Sequence, residues 1–410
     1  MATIAVLGTL DSKGSEHAFV AEQIRQHGHM PLLIDVGTYE PPDDLRMDVK
    51  IDRHEVARAG GIVWSELESR SDRGECVAAM TAAAPLLLQE LYRQTRIQGV
   101  ISLGGSGGTA IATAAMRALP IGFPKVMVST MASGNIVHYV GTKDIVMIPS
   151  IVDIAGLNRV SRMIFTRAAG VICGMVESDV APDTDDRPLI VASMFGNTTE
   201  CIAAATPVLE EAGYEVLVFH ATGAGGRAME SLIESGMVAG VLDITTTEWA
   251  DELVGGILSA GPHRLEAAAK TGVPAIVVPG CLDMVNFGEQ NSVPPQFANR
   301  RFYAHNPQVT LMRTSREECR ELGRVLAQKI NPSSAPVSVL IPRKAISVIS
   351  AEGGPFHDPN ADQALFESLA NSLRDDIPVH WEDRRINDPE FAQLCAKTLL
   401  RNIQVAAQRS

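Results

Sequence analysis

VISLGGSGGTAIATAAM, Val100 to Met116, decides how this 410-residue chain is read. An apolar run with β-branched residues reads as a strand. Five residues follow, four of them glycine (Gly104, Gly105, Gly107 and Gly108 around Ser106), and an alanine-rich helical pattern leaves them. In a parallel sheet, ligands bind in the crevice at the carboxyl ends of the strands. A helix beginning there offers unpaired N–H groups and the positive end of its dipole, which suit phosphate. Glycine lets the main chain come close to an anion. Four glycines exceed what a turn requires, so the stretch predicts a phosphate loop. Gly105-Ser106-Gly107-Gly108-Thr109-Ala110 fits G-x-G-x-x-A between strand and helix, and so does Gly223-Ala224-Gly225-Gly226-Arg227-Ala228.

The surrounding residues narrow the ligand. A dinucleotide site expects an acidic residue about 20 positions on, at the end of the next strand. KVMVSTMASGN offers Ser129 and Thr130 instead. A Walker A loop needs Gly-Lys-Ser/Thr, and GTLDSKG sets Lys13 before glycine. A mononucleotide held by glycine amides and hydroxyls fits better. Thr9, Ser106, Thr109, Ser129 and Thr130 can donate to phosphate or bind ribose, Lys13 can neutralise charge, and Asp11 or Asp153 can hold Mg2+.

Outward from this loop, short apolar strands alternate with amphipathic helices, which predicts α/β architecture: two Rossmann-like three-layer domains with mostly parallel sheets. The segment ESDVAPDTDDRP (Glu177 to Pro188) is acidic, carries two prolines and has no apolar period, so it reads as a linker between domains at 1–180 and 188–410. After TIAVLGT a helix is expected over SEHAFVAEQIRQHG, with Ser15 near its cap and Gly28 past its end. DIVMIPSIVDIAGLN reads as a strand running into a helix through RVSRMIFTRAAGVICGM. The halves resemble each other. Each opens on a Gly-plus-hydroxyl turn, LGTLDS and MFGNTTE, and each later joins a strand to glycines and a helix, SLGGSGGTA and VFHATGAGGRA. A duplicated unit fits this, with an insert from Thr38 to Leu87 in the first half.

The net charge of −13, without a Lys/Arg cluster, argues against nucleic acid as a partner. Six scattered cysteines form no CxxC pair, so buried thiols in a reducing compartment are expected rather than a zinc ribbon or disulfide framework. The N-terminus turns polar too soon for a signal peptide, and no apolar run reaches the roughly 18 residues of a membrane span. A cytoplasmic protein without membrane contact is expected.

The second half gathers polar residues at strand ends. His220 precedes ATGAGG, Asp243 precedes Thr245 to Glu248, Asp283 and Asn286 follow PAIVVPG, and Arg301, His305, Asn306 and Arg313 come later. If these ends converge, His220, Asp243, Glu248, Asp283 and His305 are candidates for acid–base work. Thr222, Gly225, Gly226, Thr246, Asn286, Arg301 and Arg313 are candidates for holding a small acidic metabolite. Plainer roles stand beside these. Thr246 or Thr247 can cap a helix with Glu248 in its first turn, HNP can form a turn, and Arg313 can pair with Glu317 four residues on. No nucleophile elbow, HExxH or kinase signature occurs.

Together GTLDSKG, SLGGSGGT, ALPIGFPKVMVSTMASGN, VGTKDIVMIPSIVDIAGLNRVSR, VFHATGAGGRAMESL, VLDITTTEWADELVGG, PGCLDMVNFG and HNPQVTLMRT resemble one family. It is the ATP-binding family of the plant tomato-mosaic-virus resistance protein, with many uncharacterised bacterial members. The resemblance covers Ile4 to Asn402, with one departure at Ala345, where the family usually has glycine. It implies two Rossmann-like domains, ATP in the first, and a homodimer. By residue it implies an ATP site from Gly8, Thr9, Asp11 and Lys13, then Gly104 to Thr109, then Ser129, Thr130, Met131 and Ala132. Virus inhibition belongs to a plant member and does not transfer. Two functions stay open: an ATP-dependent transferase, ligase or hydrolase acting on a small acidic metabolite, and a nucleotide-responsive regulatory or protein-binding module without catalysis.

Overall fold

The computed structural model describes residues 1–42, 49–66, 72–178 and 186–409. The chain divides into two compact units, Met1–Pro182 and Asp183–Ser410; most of the expected linker lies outside the described residues.

The first unit builds β1 (Thr3–Gly8), β2 (Met30–Asp35), β3 (Val49–Ile51), β4 (Gly99–Gly104), β5 (Lys125–Ser129) and β6 (Val146–Pro149). All pairings are parallel, in the order β3-β2-β1-β4-β5-β6. Both faces are covered, which is why these strands read as continuous apolar runs. One face packs Ile4, Val6 and Val126 under the helices Leu10–Gln26 and Arg159–Glu177. The other packs Ala5, Leu7 and Met127 under the helices Arg73–Arg93 and Ser106–Arg117. The chain reverses its direction across the sheet between β1 and β4, and that reversal opens a crevice at their carboxyl ends.

The first helix corrects the expected start. It begins at Leu10, five residues before Ser15, and is broken at Lys13, whose φ of −136° and ψ of 29° are not helical. Asp35 at the end of β2 accepts from Leu10 N at 3.1 Å and so starts the helix through a tertiary contact. The Ser15 hydroxyl donates to Glu16 at 2.7 Å instead of capping.

The second unit builds β7 (Leu189–Met194), β8 (Glu215–His220), β9 (Val238–Thr245), β10 (Ala275–Gly280), β11 (Met284–Phe287), β12 (Phe302–Asn306), β13 (Val309–Arg313), β14 (Val337–Pro342) and β15 (Val379–Glu382). Six form a parallel sheet in the order β15-β14-β10-β9-β7-β8. The other three form an antiparallel sheet, β11-β13-β12, which the sequence reading does not anticipate. HNP is its hairpin turn, with Gln308 N donating to Asn306 Oδ1 at 2.9 Å.

With β3 set aside, since it lies in the insert, the first order is β2-β1-β4-β5-β6. The second unit repeats it as β8-β7-β9-β10-β14. The positional equivalent of β4 is therefore β9. The glycines of VFHATGAGGRA follow β8, an edge strand, so the two glycine loops do not occupy equivalent places.

Gly8 shows how tightly the end of β1 is built. A Cβ there would run into the imidazole of His17, which is fully buried. Gly8→Ala is expected to lower stability by about 1–3 kcal/mol, read as a lower urea midpoint; an unchanged midpoint contradicts the packing.

Candidate functional site

A cleft of about 630 Å³, open mouth included, lies at the carboxyl ends of β1, β2 and β4. It is lined by Thr9, Asp11, Ser12, Lys13, Thr38, Arg73, Val77, Gly105, Ser106, Gly107, Gly108 and Ile111. The helix Ser106–Arg117 starts in its wall with Gly105 at the cap position and no side-chain cap. Among the described residues the amides of Ser106, Gly107 and Gly108 have no partner, and Thr109 N is the first to bond, to Gly105 O at 2.8 Å. The glycines differ in what they are for. A Cβ on Gly104 would sit 2.8 Å from Thr109 N, so the turn itself demands glycine there. One on Gly107 would meet nothing within 4 Å, and one on Gly108 nothing nearer than 3.8 Å. Among the described residues nothing requires those two to be bare.

Other residues expected around this loop take varied places. Thr109 and Ser129 share a buried hydrogen bond at 2.6 Å, and Ser129 also accepts from Met131 N at 2.9 Å. Both hydroxyls are therefore spent holding the ends of β4 and β5 together. Thr130 and Met131 are exposed, Ala132 is half-buried, and Thr130 N donates to Gly104 O at 3.2 Å. Gly8 packs on His17 as described. Lys13 Nζ donates to the carbonyl of Ile154. Asp11 Oδ2 accepts from Thr38 N at 2.9 Å and Tyr39 N at 3.0 Å, while its Oδ1 is buried and has no partner among the described residues. Asp153 is exposed and accepts from Ile154 N at 2.8 Å. Among the described residues no three His, Cys, Asp or Glu side chains group as a metal cage. Sequence reasoning missed Asp35, which holds Leu10 N and Gly37 N; burial pushes its carboxyl up to about 6.

In the second unit the other glycine loop already holds an anion, and the anion is the protein's own. Gly223 N and Gly226 N donate to Glu248 Oε1 at 2.7 and 3.1 Å. A Cβ on Gly226 would run into that carboxylate, and one on Gly225 into the carbonyl of His220. Gly223 has a φ of +79° that favours glycine. Glu248 Oε2 in turn accepts from Arg264 Nε at 2.7 Å.

Arg264, fully buried and absent from the sequence reading, organises this region. It binds Asp243 through two contacts of 2.6 and 2.7 Å and Glu230 at 3.0 Å. Burial raises the carboxyl of Glu230 despite that cation, and the three carboxylates hold the Arg264 guanidinium firmly protonated. Asp243 and Glu248 are thus tied to one cation, and Asp243 also accepts from Ser193 at 2.7 Å. The signal for Arg264 was indirect: several acids at strand ends require a buried cation.

The remaining candidates are spread through the unit. His220 is exposed at the end of β8, edge-on to Phe195 at 5.9 Å, and Thr222 donates to its carbonyl. The Thr246 hydroxyl donates to Val278 O at 3.2 Å. Asp283 is buried, accepts from Ser347 at 2.7 Å through Oδ2, and leaves Oδ1 without a partner; burial raises its carboxyl. Asn286 donates its side-chain amide to Asp251 Oδ2 at 2.7 Å, joining the helix Glu248–Val254 to β11. Arg313 ends β13, before the helix Arg316–Ile330 begins, so it does not pair along that helix with Glu317. It reaches Asp362 at 2.5 Å and Phe356 O at 2.9 Å. Arg301 is exposed and donates to His357 O at 3.1 Å; His305 is exposed on β12.

Comparison with known proteins places the chain. The model of the uncharacterised protein family UPF0261, N-terminal domain, matches residues 2–181, and that of its C-terminal domain matches 187–403. A UPF0261 protein of Clostridium tetani (strain Massachusetts / E88) is 48% identical over 398 residues, covering 97% of this chain and 98% of that protein. The ToMV resistance protein Tm-1(GCR237) of Solanum lycopersicum is 42% identical over 340 residues, covering 80% of this chain but 44% of that protein. Among solved structures, a UDP-N-acetylglucosamine 2-epimerase from Rickettsia bellii is 12% identical, with a TM-score of 0.21, covering 67% of this chain and 78% of that one. The chain belongs to the UPF0261 family.

Two measurements check the second unit. Arg264→Met removes the cation from between three carboxylates, and a loss of about 3–5 kcal/mol is expected in urea unfolding. Asp251, raised to about 7 by burial, keeps in the fold a proton that the unfolded chain releases. Its contribution is full below about pH 4 and is lost as pH rises to about 7. The stability of Asp251→Asn relative to the native protein is therefore expected to rise across that window and level off above it. A difference that does not change with pH contradicts the assignment.

Proposed function

We propose that this UPF0261 protein binds an adenine mononucleotide, with ATP and Mg2+ as the first candidate, through the glycine loop of its first unit. The observation that carries the reading is the set of three partnerless amides, Ser106, Gly107 and Gly108, at an uncapped helix start inside a cleft. Such a group favours phosphate by hydrogen bonding and by the helix dipole together. The residues present fit Mg2+ as well, because Mg2+ usually takes one or two carboxylates and completes its shell with phosphate and water. Asp11, whose Oδ1 is buried and without a partner, would hold it, with the hydroxyls of Thr9 and Ser12 nearby in the cleft wall. Bound there, the ion would neutralise phosphate charge.

The engagement of Asp243 and Glu248 by Arg264 favours a nucleotide-responsive binding module, a homodimer in our reading, over an enzyme that uses those two side chains as acid and base. Arg313 is likewise turned to Asp362, while His220, Arg301 and His305 are exposed and available to a small acidic metabolite.

Gly107→Asp tests the phosphate reading. The position has room for a side chain, and an acidic residue in the first helical turn supports the fold. The variant is expected to melt no lower than the native protein and to lose the heat of Mg-ATP binding in calorimetry. Saturation of the variant at native affinity, or no heat from the native protein at millimolar nucleotide, contradicts the proposal.

A further inference from the structure

The parallel sheet of the second unit ends on β8, which pairs with β7 alone. Its sequence, EVLVFH, holds no proline and no lysine, and its register with β7 runs without a shift. Val218 in its middle is 44% exposed. The other edges of the two parallel sheets are blunted. β3 is three residues long with Lys50 at its centre, and β6 is four residues long and closes on Pro149. β15 is four residues long, ends in Glu382 and is followed by Asp383, Arg384 and Arg385. Short strands, proline, lysine and clustered charge keep a free edge from pairing. From Val216 to Phe219 β8 has none of these, and a run such as VLVF is prone to pair when left open.

The main chain of β8 is directed for such a pairing. Glu215 N donates to Pro188 O at 3.1 Å and Ala221 N to Met194 O at 2.7 Å. In a parallel ladder alternate residues serve the same neighbour, so the odd-numbered residues of β8 face β7. Val216, Val218 and His220 direct their main-chain groups outward. His220 offers its N–H there, since its carbonyl already accepts from Thr222 N at 2.7 Å.

This outward set is symmetric about Val218. A second copy of the strand, antiparallel and related by a two-fold axis beside Val218, sets Val218 against Val218, Leu217 against Phe219, Val216 against His220 and Glu215 against Ala221. Apolar side chains meet through the middle, and no like charges are opposed. Both edges are consumed in the contact, so the assembly closes as a dimer rather than growing.

Resting on the homodimer reading above, we infer that two copies of the chain join edge to edge through β8, making one continuous sheet from the second-unit sheet of each.

The test uses the full chain in sedimentation velocity over a range of concentrations, as native protein, Val218→Lys and Val218→Glu. Val218 is exposed, so both side chains have room in the monomer. Position 218 faces itself across the axis, so each variant opposes two like charges and is expected to raise the dissociation constant about tenfold or more. An equimolar mixture of the two folded variants sets lysine against glutamate and is expected to recover the dimer. In the native protein, amide exchange at Val216, Val218 and His220 is expected to be slow in the dimer and fast in the monomer that dilution gives. Fast exchange at those amides in the dimer, unchanged association of both variants, or no recovery on mixing overturns the β8 contact and leaves the dimer to another surface. A native protein that stays monomeric at every concentration overturns the homodimer as well, and neither result touches the glycine loop.

Discussion

A helix that starts at the end of a parallel strand exposes several N–H groups with no partner in the helix. This chain meets that requirement in two ways. In the second unit Glu248 enters the start of the helix Ala224–Glu234 and accepts from two of its glycine amides. In the first unit no described residue enters the start of Ser106–Arg117, and a cleft stands there instead. The same glycine chemistry thus yields a closed structural joint in one place and an open cleft in the other. The difference lies in whether an acidic side chain from elsewhere reaches the loop.

Glu248 can be buried only because Arg264 is. One guanidinium meets carboxylates from β9, from the helix Ala224–Glu234 and from the helix Glu248–Val254, so three elements are referenced to one atom group. Such a cluster is costly to assemble and more costly to break, since removal of the cation strands the acids away from water. It fixes geometry, and it holds Asp243 and Glu248 in contact with one guanidinium.

The parallel strands were legible because burial on both faces leaves an apolar, β-branched run that flanking helices cannot imitate. The antiparallel β11, β12 and β13 were not. They are four or five residues long, and stretches such as FYAHN show no clean alternation. The start of the first helix was misplaced because Asp35, 25 residues away in sequence, holds Leu10 N and replaces a local cap. At the cleft, the glycines announced themselves by excess. Arg73 did not, since an arginine near a helix start carries no local signal. Asp243 and Glu248 were recognisable as chemistry-bearing types, yet their cation lies 21 and 16 residues downstream in a stretch without periodicity.

The closed loop bears on how nucleotide fingerprints are read in other chains. Glu248 follows Gly226 by 22 positions, close to the spacing at which an acidic residue after G-x-G-x-x-A is commonly credited with grasping a ribose. Here that acid reaches back and plugs the glycines. By pattern alone, then, the blocked loop scores as the better cofactor site and the open one as the worse. A downstream acid becomes informative only when the chain also shows, or lacks, a basic residue placed to escort it inside.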